Sequence, residues 1–107
     1  MIRYKIDIMQ TLADAGYARQ RLRDSGIISQ ATILNIKDLW RLQTLSEEQI
    51  QANPRLAKRA NEGISDISLG TLSKICIMCG LKIEDVVEVV ATDEEILECY
   101  NAKIRRA

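Results

Sequence analysis

Ser29, Gln30, Ala31, Thr32 and Asn35 fall together at the start of one amphipathic segment, and Tyr17, Arg19, Arg21 and Arg23 lie just ahead of them. Gln and Asn carry a donor beside an acceptor and can make two hydrogen bonds to adenine, while an alanine or threonine methyl suits the thymine methyl. Arginine and tyrosine suit phosphate oxygens, which set register on a duplex but carry no sequence information. Lys37 continues the basic series, and Arg55, Lys58 and Arg59 stand at i, i+3 and i+4, on one face of a later helix. This patch has two readings: further phosphate contacts, or a solvated helix face over Leu56 and Ala60. Gln30 and Asn35 likewise either touch bases directly or reach only backbone and water.

Chemistry of other kinds is poorly supplied. The chain has no histidine, which removes every His-based acid, base, triad or zinc site. Cys76 and Cys79 match a C-x-x-C spacing, but Cys99 alone cannot complete a zinc site. The pair also closes an apolar helical run instead of opening one, where a helix dipole would activate a thiol. Buried small apolar residues are therefore expected there. Glu47-Glu48 and Glu94-Glu95 are adjacent, so they point to different azimuths and read as first-turn helix charges. No glycine-rich phosphate loop and no nucleophile beside a base is present. A binding protein is expected, with no enzyme activity, cofactor, metal or small-molecule ligand.

The composition agrees with that class. The 107 residues are 47% hydrophobic, enough for one domain spanning 1–107, and no apolar run nears the roughly 20 residues a bilayer needs. Met1-Ile2-Arg3-Tyr4-Lys5 lacks the pattern of a signal peptide, so a soluble, cytoplasmic chain without membrane contact is expected. The formal net charge is zero, yet it is unevenly spread. Residues 1–63 hold ten basic against seven acidic residues, and residues 64–107 hold five against eight. The polarity fits one side facing a polyanion and one turned away.

The elements that must position these residues read as helices nearly throughout. Residues 4–15 place Ile6, Met9, Leu12 and Ala13 on one face before Gly16. Residues 18–25 form a short polar helix around Leu22, and Ser29 caps a helix over 29–39 carrying Ile33, Ile36 and Trp40. Leu22, Ile28, Ile33 and Ile36 are spaced to lock the two helices together. That packing turns Ser29, Gln30, Ala31, Thr32, Asn35, Lys37 and Asp38 outward. Trp40 reads as a core anchor. Ser46 to Gln49 is a capping box, Pro54 restarts a helix toward Gly63, and Ser68 caps a run through Leu72, Ile75, Cys76 and Cys79. Ile83 to Val90 is apolar and β-branched, helix or strand. Thr92 to Glu95 is a second capping box, opening a C-terminal helix over about 93–106. Its stripe, Ile96, Cys99, Tyr100, Lys103 and Ile104, either closes the core or pairs with a second subunit.

Arg21-Leu22-Arg23-Asp24-Ser25-Gly26-Ile27-Ile28-Ser29-Gln30-Ala31-Thr32-Ile33 resembles the helix-turn-helix of the phage Cro/repressor-like (XRE) transcriptional regulators. Ile67 to Cys76, followed by Ile83-Glu84-Asp85-Val86-Val87, resembles the fourth and fifth helices of its compact members. The resemblance implies an all-α, five-helix DNA-binding domain, acting as a dimer on double-stranded DNA as a bacterial or phage repressor or activator, with repression favoured. It places Gln30, Ala31, Thr32 and Asn35 where base contacts are expected. Two features depart from the family. Ile27 stands where the family's turn commonly has glycine, which would shift the left-handed residue to Gly26. An inserted segment over about 41–66, with helix of its own, replaces a short loop. Through Leu42, Leu45, Ile50 and Leu56 the insert could also form a subunit interface. The alternative function is a protein-interaction module, an antitoxin or co-regulator, using the insert or the last helix.

Overall fold

The computed structural model describes residues 1–106, with side-chain surroundings for residues 1–101. Strand β1 (Ile2–Tyr4) leads into α1 (Ile8–Asp14), α2 (Arg19–Ser25) and α3 (Gln30–Thr44). Next come α4 (Glu47–Gln51), α5 (Pro54–Glu62), α6 (Leu69–Cys79) and α7 (Ile83–Val86). Strand β2 (Val87–Val89) and α8 (Asp93–Arg106) end the chain. The protein is mostly helical, as expected. The two short strands are a departure.

They correct the expected helix over 4–15. Ile2, Arg3 and Tyr4 pair antiparallel with Val89, Glu88 and Val87, so the helix starts only at Ile8. Asp7 caps it by accepting from Gln10 N at 3.3 Å. The ambiguous 83–90 segment is both things in turn. One helical turn opens with Asp85 Oδ2 accepting from Lys82 N, and the β-branched valines then extend.

Leu22, Ile28, Ile33 and Ile36 are all buried and join Ile8, Leu12, Leu72, Ile75, Val86 and Tyr4 in one core. Full burial of such a side chain contributes roughly 1.5–3 kcal/mol. Trp40 packs against this core half-buried. Between α2 and α3 the left-handed residue is Gly26, with φ of 65°, which leaves Ile27 unstrained.

Helix α3 runs five residues past its expected end. Its last turns are anchored across the molecule: Gln43 Oε1 accepts from Tyr4 N at 2.8 Å, and Gln43 Nε2 donates to Tyr4 O at 2.7 Å. The Tyr4 hydroxyl donates to Asp66 Oδ1 and accepts from Ile67 N, and burial pushes its pKa up to about 12. One tyrosine thus ties β1 to both ends of the inserted segment.

The insert has its own small core, with Ile50 and Leu56 buried between α3, α4 and α5. Those two side chains are consumed within the chain, so they are not the subunit interface considered from sequence. Nor does the described part of the α8 stripe close the core. Ile96, Cys99 and Tyr100 are exposed. The side chains of Lys103, Ile104, Arg105 and Arg106 lie outside the described residues.

Candidate nucleic-acid interface

The first turn of α3 is shaped by its cap. Ser29 Oγ accepts from Thr32 N at 3.2 Å and donates to Thr32 Oγ1 at 2.8 Å. Both hydroxyls are therefore partly spent on holding the turn, leaving Gln30 and Ala31 as its fully exposed pair. Leu34, one turn beyond Gln30, is exposed as well and was not foreseen from sequence. An apolar residue at that azimuth breaks no helical pattern, so nothing in the spacing marked it.

On one flank of α3 stand the cations of α2. Gln30, Leu34 and Lys37 line a cleft of about 280 Å³ together with Arg19, Arg23 and the buried Leu22 and Ile33. Arg19, Arg21, Arg23, Lys37 and Arg41 form no salt bridge among the described residues. Burial, then the positive charges of Arg19, Arg41 and Arg23, hold the Lys37 ammonium below the usual lysine range. Arg21 lies 5.9 Å over the Tyr17 ring, whose body packs on the core. The arrangement is a positive cleft without a salt bridge among the described residues, beside an exposed helical turn. Such a cleft attracts phosphate and other anions.

The opposite flank is different. Asp38 was expected to face outward with the reading residues, yet it is fully buried beneath α5. Arg55 grips it with Nη1 on Oδ2 at 2.9 Å and Nη2 on Oδ1 at 3.0 Å. Arg59 Nη1 adds a third bond to Oδ2 at 2.9 Å, and Arg59 Nη2 donates to Asn35 Oδ1. The Arg55 hydrogen bonds, opposed by burial and helped by nearby positive charge, hold the Asp38 carboxyl below the usual range. The same contact raises the Arg55 guanidinium.

Of the basic trio in the insert, Arg55 and Arg59 thus turn inward, and only the exposed Lys58 stands clear of Asp38, 3.9 Å from Glu62. The patch therefore has a structural role beside the two readings, phosphate contact or solvated face. It is neither a purely solvated face nor a free basic one, because the residue it serves comes from another helix. Leu56 is buried as expected, but Ala60 is exposed. Ser29, Gln30, Ala31, Thr32 and Asn35 do share one end of α3, with Tyr17, Arg19, Arg21, Arg23 and Lys37 along its α2 side.

Other candidate chemistry is sparse. Among the described residues no group of three His, Cys, Asp or Glu side chains could hold a metal. Cys76, Cys79 and Cys99 are free thiols; the first two are half-buried, and burial followed by the neighbouring Cys76 pushes the Cys79 thiol up. No described helix is long and apolar enough to cross a membrane. Compared with protein-family models, curated proteins and solved structures, the chain gives no match.

Proposed function

We propose that this chain is a sequence-specific binder of double-stranded DNA, a helix-turn-helix transcriptional regulator of the Cro/repressor-like type, acting as a repressor. The observation that carries the reading is the pairing of an exposed first turn of α3 with the cations of α2 and Lys37, which form no salt bridge among the described residues. On this reading α3 enters the major groove by its N-terminal end, as recognition helices do. Gln30 and Ala31 meet base edges, and Arg19, Arg21, Arg23, Lys37 and Tyr17 hold phosphates along the α2 flank. On the same reading α1, α2, α3, α6 and α7 correspond to the five helices of that family, with α4 and α5 as the insert and α8 as an addition.

A homodimer completes the reading. Leu69, Ile77 and Ile83 border an open groove on α6 and α7, with Leu69 and Ile77 75% and 79% exposed. Ile96, Leu97 and Tyr100 leave α8 with an uncovered apolar face. Exposed apolar patches of this kind mark interaction surfaces. Selection of bound sequences from random duplex DNA tests both parts. A palindrome whose half-sites lie about 34 Å apart, one helical turn, is expected from a dimer. Failure to enrich any sequence removes the DNA reading.

The same apolar surfaces favour a second reading, a protein-interaction module in which the helix-turn-helix serves only packing. Affinity for duplex DNA that ignores salt, or none at all, would select it.

A further inference from the structure

This rests on the DNA-binding reading above: Asn35 stands where the resemblance implies a base contact, and its surroundings restrict which edge it can read. Asn35 Oδ1 accepts from Arg59 Nη2. A guanidinium only donates, so this contact dictates which end of the amide is oxygen. The carbonyl is turned toward α5. Arg59 cannot easily swing away, because its Nη1 is bound to Asp38, and Asp38 is buried and held on both its oxygens by Arg55. Asn35 Nδ2 makes no hydrogen bond within the chain among the described residues, and it is not a buried orphan, so it keeps access to solvent. It borders a polar cleft shared with Thr32.

Reading adenine with two bonds needs the carbonyl for the N6 amino group and the amide nitrogen for N7. Here one of the carbonyl's two lone pairs is held by Arg59, so adenine N6 would have to share that oxygen with a guanidinium that offers it no acceptor. Guanine presents two neighbouring acceptors, N7 and O6, in the major groove. We propose that Asn35 reads guanine, donating from Nδ2 to O6, since N7 is common to both purines, and that Arg59 and Asp38 are the positioning residues that set this preference. The insert then acts on specificity without touching the base. Its helix α5 presents one end of an α3 side chain and withdraws the other.

Competition binding with duplexes from the selected site tests this at the base whose preference flattens in Asn35→Ala. Wild type is expected to favour guanine over adenine there by about tenfold or more. Replacing that guanine by 2-aminopurine, which keeps N7 but lacks O6, lowers affinity severalfold. Arg59→Met frees the carbonyl and moves the preference toward adenine, a change of sign that mere loss of packing would not produce. Asn35→Asp keeps an acceptor for Arg59, and so the network, but loses the guanine preference. If Arg59→Met fails to melt cooperatively, Asn35→Asp decides alone. A wild-type preference for adenine overturns the proposal. So does an Asn35→Ala protein that binds DNA with every base preference intact, or an Asn35→Asp protein that still favours guanine. Absence of any salt-dependent duplex affinity is a separate result, which removes the DNA reading and this proposal with it.

Discussion

The two flanks of α3 carry the same kind of side chain and put it to opposite uses. Toward α2, Arg19, Arg23, Lys37 and Arg41 gather without a salt bridge among the described residues, and their field adds to burial in disfavouring the Lys37 charge. Toward α5, Arg55 and Arg59 converge on Asp38, which offsets one of their two positive charges. A single buried carboxylate separates the two cases. Where it is present, cations hold one helix on another. Where it is missing, they remain mutually repelling and available to an outside anion. Basic residues therefore cannot be sorted into binding and structural by type or spacing; what decides is whether an acid from elsewhere reaches them.

The comparison breaks most visibly at Asp38. Asp38→Ala should destabilise the protein by about 3 kcal/mol, the low end for breaking a buried pair, because the half-exposed Arg55 can return to water. Urea unfolding measures it, and a destabilisation below about 1 kcal/mol would mean the network contributes little. The acid limb should change too. Asp38 has a depressed folded-state pKa, so its contribution is fully present above the ordinary aspartate value of about 4 and fades as pH falls through the lower native value. In Asp38→Asn that part of the acid sensitivity disappears, which unfolding followed from pH 6 downward would reveal.

The α2 flank should respond in DNA affinity instead of stability. Gln30→Ala leaves stability unchanged and lowers preference for the selected site by about 1–3 kcal/mol, read by competition between matched and mutated duplexes. An unaltered preference would remove Gln30 from the reading surface. The smallest effect separates the flanks most sharply. Lys37→Met should raise thermal stability slightly, by about 0.3 kcal/mol, because it removes like-charge repulsion. Removing a cation from the α5 flank should do the reverse. If Lys37→Met destabilises instead, an anionic partner within the chain must already hold that lysine.

How much of this is legible from sequence follows from the range of each interaction. Leu22, Ile28, Ile33 and Ile36 are readable because helical periodicity and a short turn bring them together locally. The caps at Ser29, Ser46 and Ser68, and the left-handed Gly26 and Gly80, are readable because each acts within a few residues. Tyr4 and Val87 are not, since a three-residue strand carries no pattern and its partner lies at the far end of the chain. Asp38 is misplaced by sequence for the same reason. Its helical azimuth faces away from the main core, and only the fold brings Arg55 and Arg59 over it. The overlong α3 likewise depends on Gln43 meeting a distant strand.

The direct measurement is the salt dependence of duplex affinity for wild type, Arg19→Ala/Arg23→Ala and Lys58→Ala. Removing one cation that holds a phosphate should lower the slope of log K against log salt by about 0.9. The account predicts a slope reduced by about two for the double variant, with folding intact, and a near-wild-type slope for Lys58→Ala. An unchanged slope in the double variant, or a larger reduction from Lys58→Ala, would put the phosphates on the other flank and contradict the account.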